Sequence, residues 1–188
     1  MKLILGSGSR SRREVLEQAG YQFEVITAEV DEKTIRHDEP EKLVLALAKA
    51  KAAAVLSKVT EPALIITADQ VVVCNGQILE KPRDEAEARL FIRGYLKHPM
   101  TAVNAVVVTN SVTGKQAEQI EISKVYFKPF SEEVIDEAIA IGRVMTCAGA
   151  MRNEEAPFCN YIERFEGTKD STSGMPLKVL AELIKQVE

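Results

Sequence analysis

Ser7, Ser9, Arg12 and Arg13 stand in the segment Gly6-Ser7-Gly8-Ser9-Arg10-Ser11-Arg12-Arg13, whose composition suits the holding of phosphate. An apolar run enters a loop of small residues and leaves through a helix start that carries three arginines. Glycines let backbone N–H groups close on an anion, the helix N-terminus adds partial positive charge, hydroxyls donate, and guanidinium forks take phosphate oxygens two at a time. No Lys-Ser or Lys-Thr follows the glycines, so the segment is not a Walker A loop. Ser11 stands where a dinucleotide fingerprint has its third glycine, which argues against that motif too. The plainer reading is a strand-to-helix turn with solvated arginines.

Asp69, in Thr67-Ala68-Asp69-Gln70, falls between two β-branched runs that read as separate buried strands, Leu64-Ile65-Ile66 and Val71-Val72-Val73. An ionisable group there must offset its desolvation, and aspartates at strand ends serve as bases or metal ligands; a turn-capping aspartate is the alternative. Lys81, in Glu80-Lys81-Pro82, follows a hairpin whose returning strand could carry it back toward Asp69, or it is a solvated lysine. A third group is Asp31-Glu32-Lys33 together with Lys51, which shares a helix face with Leu47 and Ala54 and so either snorkels or points into a site. Glu32 has the chemistry of a magnesium ligand, since magnesium takes one or two carboxylates plus phosphate oxygens; a solvated acidic turn is the other reading. His37 and His98 have no partner spacing for zinc.

The elements that must position these groups are legible from periodicity and turn chemistry. Lys2 to Leu5 reads as a strand, Ser11 to Ala19 as a helix closed by Gly20, Tyr21 to Ile26 as a strand, and Pro40 to Ser57 as a helix. Asn75-Gly76 before Gln77-Ile78-Leu79 signals a two-residue hairpin. Asp84 starts a helix toward Leu96, Thr101 to Thr109 and Ile120 to Phe127 read as strands, and Ser131 opens a helix that Gly142 stops. A strand around Asn160 to Phe165, a Gly/Ser/Thr-rich loop from Gly167 to Gly174 and a helix from Pro176 to Val187 complete the chain. Interleaved helices and strands predict an α/β protein with a mixed sheet, one domain over residues 1–188.

Composition narrows the function. A formal net charge of -4 with mixed signs leaves no broad basic surface for a nucleic acid polymer. Three cysteines without Cys-x-x-Cys spacing indicate neither a disulfide framework nor a zinc ribbon. The opening apolar run is too short for a signal peptide and no membrane-spanning stretch follows, so a cytoplasmic protein is expected.

Together these segments resemble the Maf family, the septum-formation inhibitor proteins, which are nucleoside triphosphate pyrophosphatases. The residues that carry the resemblance are Ser7, Ser9, Arg12 and Arg13, Asp31-Glu32, Lys49-Ala50-Lys51, Ala68-Asp69, Glu80-Lys81-Pro82, Ala148-Gly149 and Gly174-Met175-Pro176-Leu177, in the family's order from end to end. It implies a twisted mixed sheet with flanking helices and two lobes around a cleft, as in inosine triphosphatase-like folds, and a homodimer. It also implies hydrolysis of a nucleoside triphosphate to the monophosphate and pyrophosphate with magnesium or manganese. By matching positions Asp69 is the general base, Glu32 and Asp69 hold the metal, and Ser7, Arg12, Arg13, Lys51 and Lys81 contact the triphosphate.

Two branches of the family differ near the base. Pyrimidine-preferring members, acting on dTTP and UTP, carry threonine after the aspartate and glutamine after the Ala-Gly motif, whereas the 7-methyl-GTP branch carries glutamine and glutamate. This chain has Gln70 and Glu154, which point to 7-methyl-GTP. A carboxylate accepts from the N1 and N2 donors of guanine and attracts a methylated ring cation. Ser11 departs from that branch, which has an aromatic residue there to stack on the base. Glu155 takes the place of Glu154 if the register slips by one. The closing loop Thr172-Ser173-Gly174-Met175 departs from the family's pattern in packing residues. The other functional classes are a catalytically silent nucleotide-binding module in cell-division control and a dinucleotide-dependent oxidoreductase, the latter lacking its third glycine.

Overall fold

In the computed structural model, which describes residues Met1 to Glu188, the strands are β1 (Lys2–Leu5), β2 (Glu24–Val25), β3 (Ala63–Cys74), β4 (Gln77–Leu79), β5 (Met100–Asn110), β6 (Gln116–Phe127) and β7 (Ile162–Glu166). They form a seven-stranded sheet in the order β2-β1-β3-β5-β6-β7, with β4 paired to β3. β1 runs parallel to β2 and β3, whereas β3 with β4 and β6 with β7 are antiparallel, so the sheet is mixed as expected. The helices are α1 (Arg10–Gln18), α2 (Pro40–Leu56), α3 (Glu85–Gly94), α4 (Glu132–Ile141), α5 (Lys169–Thr172) and α6 (Leu177–Val187).

Asp69 does not sit between two strands: β3 is continuous across it. The whole strand is buried on both faces except at Gln70 and Val73, which is why its sequence reads as near-unbroken apolar runs. The expected gap at Asp69 does not open, because the carboxylate finds a cation without the backbone having to leave the sheet. At Asn75 and Gly76 both φ angles are positive, +49° and +74°, and the strand returns with Cys74 opposite Gln77, as the hairpin signal predicts.

Other boundaries move for local reasons. The second strand shrinks to Glu24–Val25 because Gly20 and Tyr21 donate their N–H groups to Glu17 and Leu16 and so spend that stretch closing α1. Asn160 and Tyr161 lie in a 3-10 turn, Cys159 and Asn160 donating to Glu155 and Pro157, so β7 starts at Ile162. Within the Gly/Ser/Thr-rich loop, residues Lys169–Thr172 form the single turn α5, Thr172 donating its N–H to Thr168 at 3.2 Å.

The chain divides into two compact units. Unit 1 comprises Met1–Gln70, Asn104–Glu121 and Ser173–Glu188; unit 2 comprises Val71–Val103 and Ile122–Thr172. Each has its own apolar centre. In unit 1, Leu5, Leu16, Leu64, Ile66, Val106 and Leu180 pack together. In unit 2, Phe127, Phe130 and Phe158 join Ile92, Ile135 and Met100, with ring centroids 5.7 to 6.5 Å apart among the three phenylalanines. No helix is long and apolar enough to cross a membrane.

Candidate active site

The opening loop leaves β1 hard against β3. The Gly6 N–H donates to the Ile66 carbonyl at 2.7 Å, and a Cβ on Gly6 would stand 2.6 Å from Thr67 Cγ2. Only glycine permits that approach. Ser7, buried, accepts from the Ser9 N–H at 3.2 Å, and Ser9 caps α1 by accepting from the Arg12 N–H at 3.4 Å. α1 is therefore set with its N-terminus at the loop. The Arg12 side chain folds back over that loop, Nη1 donating to Ser7 Oγ at 3.1 Å and Nε to the Gly174 carbonyl at 3.0 Å. Burial lowers the Arg12 pKa, while Asp69 and Glu32 pull it upward. Arg13 is exposed, and Ser11 is half-buried in the first turn of α1.

Thr67 Oγ1 donates to the Ala48 carbonyl at 2.9 Å and ties α2 to β3. Asp69 shares a strand face with Thr67, and Lys51 lies a turn beyond Ala48, so one hydrogen bond sets the register of the pair. Lys51 Nζ donates to Asp69 Oδ1 in a short hydrogen bond and lies 2.9 Å from Glu32 Oε1. Lys51 thus points into a site, and its side chain is only 12% exposed. Thr67 carries no motif of its own, and only its place two residues before Asp69 could have singled it out.

Burial raises the Asp69 pKa; Lys51 first and then Arg12 oppose this, Glu32 adds to it, and the net direction is up. A carboxylate that holds its proton more tightly than usual while lying against an ammonium is a stronger base than a solvated one. Asp31 serves the backbone instead, its side chain accepting from the Lys33 N–H at 3.3 Å and capping the 3-10 turn Glu32–Thr34. Glu32 and Asp69, converging on one cation, are the carboxylates that could hold a divalent ion. Two carboxylates suit magnesium or manganese, which complete their shells with water and phosphate oxygens.

Unit 1 therefore brings together Ser7, Arg12, Glu32, Lys51 and Asp69, with Gln70 next along β3. Lys81 and Glu154 belong to unit 2. Lys81 is exposed just beyond β4. Its neighbour Glu80 accepts through its carbonyl from the Gly149 N–H at 3.0 Å, and the Gly149 carbonyl accepts from the buried Tyr95 hydroxyl at 2.7 Å. The Gly149 N–H thus joins the Ala148-Gly149 and Glu80-Lys81-Pro82 motifs, and Tyr95, which no motif or spacing singles out, holds Gly149 in place. Its hydroxyl stays protonated, burial holding its pKa well above the ordinary value. Glu155 lies 2.8 Å from Arg143 and 3.1 Å from Arg152, while Glu154 lies 3.4 Å from Arg152.

The chain matches the family described as "Maf-like protein" over residues 2–187 and belongs to it. It is 39% identical over 192 residues to a 7-methyl-GTP pyrophosphatase of Dictyostelium discoideum, covering 98% of this chain and 96% of that protein. It is 36% identical over 185 residues to a dTTP/UTP pyrophosphatase of Pelotomaculum thermopropionicum, again covering 98% and 96%. Among solved structures, a nucleoside-triphosphatase / dITP/XTP pyrophosphatase of Mycobacterium abscessus aligns with a TM-score of 0.40 at 12% identity, covering 69% of this chain and 76% of its own.

Proposed function

We propose that this protein is a nucleoside triphosphate pyrophosphatase that hydrolyses the α-β phosphoanhydride, with 7-methyl-GTP as its substrate and magnesium or manganese as its cofactor. The observation that carries this reading is Asp69, buried, raised in pKa and bonded to Lys51, with Glu32 and Arg12 beside it. In hydrolysis Asp69 takes a proton from water, the water oxygen bonds to phosphorus, and the bond to the leaving pyrophosphate breaks. Ser7, Arg12 and Lys51 offer donors and positive charge to the phosphate oxygens and to charge that develops on the leaving group, and the resemblance adds Arg13. A divalent ion held by Glu32 and Asp69 would supply further charge neutralisation and orient the water. A cytoplasmic homodimer belongs to the same reading.

For Lys81, Gln70, Ser11 and Glu154 the assignment to the nucleotide rests on the family resemblance. Glu155 pairs with Arg143 and Arg152 and Glu154 pairs with Arg152 as well, so the choice of Glu154 as the residue that accepts from guanine N1 and N2 rests on the same resemblance. The second reading is a dTTP/UTP pyrophosphatase, kept in play by an identity of 36% to a relative of that name, close to the 39% for the 7-methyl-GTP enzyme. Glu154→Gln separates them. It should lower kcat/KM for 7-methyl-GTP by roughly tenfold or more, the scale of one charged hydrogen-bonding group, and raise the share of turnover on dTTP and UTP. An unchanged ratio of guanine to pyrimidine turnover would remove Glu154 from base recognition.

A further inference from the structure

Gly174 lies in the turn between α5 and α6, with φ +90°, and its carbonyl accepts from Arg12 Nε at 3.0 Å. A Cβ added there would stand 2.5 Å from Gln70 Oε1, 3.3 Å from Arg12 Nε and 3.7 Å from Arg12 Nη2. The turn is anchored on its far side, Met175 being fully buried among the apolar residues of unit 1 and the Pro176 carbonyl accepting the Leu180 N–H at 2.9 Å at the start of α6. An added methyl group must therefore push the Gln70 amide and the Arg12 guanidinium. Arg12 in turn bonds Ser7 in the opening loop, and Gln70 follows Asp69 in β3.

We propose that Gly174 is a positioning residue that sets Gln70 and Arg12 together, so that the closing turn fixes both the phosphate-binding arginine and the amide next to the base. This rests on the proposed pyrophosphatase function and extends it to a residue that itself offers the substrate no side chain. Its bare α-carbon leaves the space that Gln70 occupies, and its carbonyl fixes the direction of the guanidinium.

A double-mutant cycle tests the idea, with kcat, KM and melting temperature measured for wild type, Gly174→Ala, Gln70→Ala and the double variant on 7-methyl-GTP and dTTP. Backbone strain at the positive φ is the same in both backgrounds and cancels in the cycle. Gly174→Ala should lower kcat/KM by roughly tenfold in the wild-type background, with a changed ratio of the two substrates, and by at least about threefold less where Gln70 is already alanine. The melting temperature should fall more in the wild-type background as well. Equal losses in both backgrounds, with an unaltered substrate ratio, would overturn the positioning role and leave the proposed function standing. Failure of the wild type to release pyrophosphate would overturn that function, and this role with it.

Discussion

Asp69→Asn should lower the rate of pyrophosphate release by about a thousandfold, within the range expected when a general base is removed with its shape preserved. Nucleotide affinity, read from the shift in melting temperature on adding substrate, should stay close to that of the wild type. The same substitution should not lower the stability of the free protein. The Asp69 pKa is raised by burial, so the native state binds this proton more tightly than the unfolded chain does. The stability this proton brings is present at low pH and is lost as pH rises through the raised native value, so at neutral pH the ionised carboxylate opposes folding. Asparagine resembles the protonated side chain, and Lys51 keeps Glu32 at 2.9 Å. A melting temperature at or above that of the wild type, with turnover lost, is the expected pair of results. In the wild type, kcat/KM should lose activity toward acid with a midpoint above the ordinary aspartate range.

Lys51→Met should have the second large effect, on stability as well as rate. Asp69 and Glu32 both depend on this ammonium, and removing one partner of a largely buried pair costs about 3–5 kcal/mol because Asp69 then keeps only the weaker attraction of Arg12. Lys51 is also the chief influence that lowers the Asp69 pKa. Its loss should move the acid limb of the pH profile further upward, while the melting temperature falls by roughly 6–20 °C. An unchanged acid limb in a folded Lys51→Met protein would dissociate Lys51 from the ionisation of Asp69.

What is legible in the chain is local. The Asn75-Gly76 hairpin, the Asp84 cap, the stop at Gly142 and the helix from Pro40 depend on neighbours a few positions away, and the structure has each of them. The periodicity that puts Lys51 on an inward face also has local origin. What escapes depends on partners far along the chain. Arg12 and Gly174 are 162 positions apart, and nothing in either segment announces the other. The bond from Thr67 to Ala48, which sets Lys51 opposite Asp69, is likewise long-range. The continuity of β3 through Asp69 is hidden for the same reason: a charged residue between two apolar runs looks like an interruption until its cation is known.

Whether Asp69 drives metal-dependent cleavage of the α-β phosphoanhydride is decided by pyrophosphate release from a panel of 7-methyl-GTP, GTP, dTTP and UTP, with and without magnesium or manganese, and with Asp69→Asn alongside. Metal-dependent release by the wild type is expected, strongest with 7-methyl-GTP and nearly absent in the variant. Metal-dependent release strongest with dTTP or UTP would replace the substrate and keep the chemistry, whereas no release from any of the four, or equal release by Asp69→Asn, would contradict a pyrophosphatase built on Asp69.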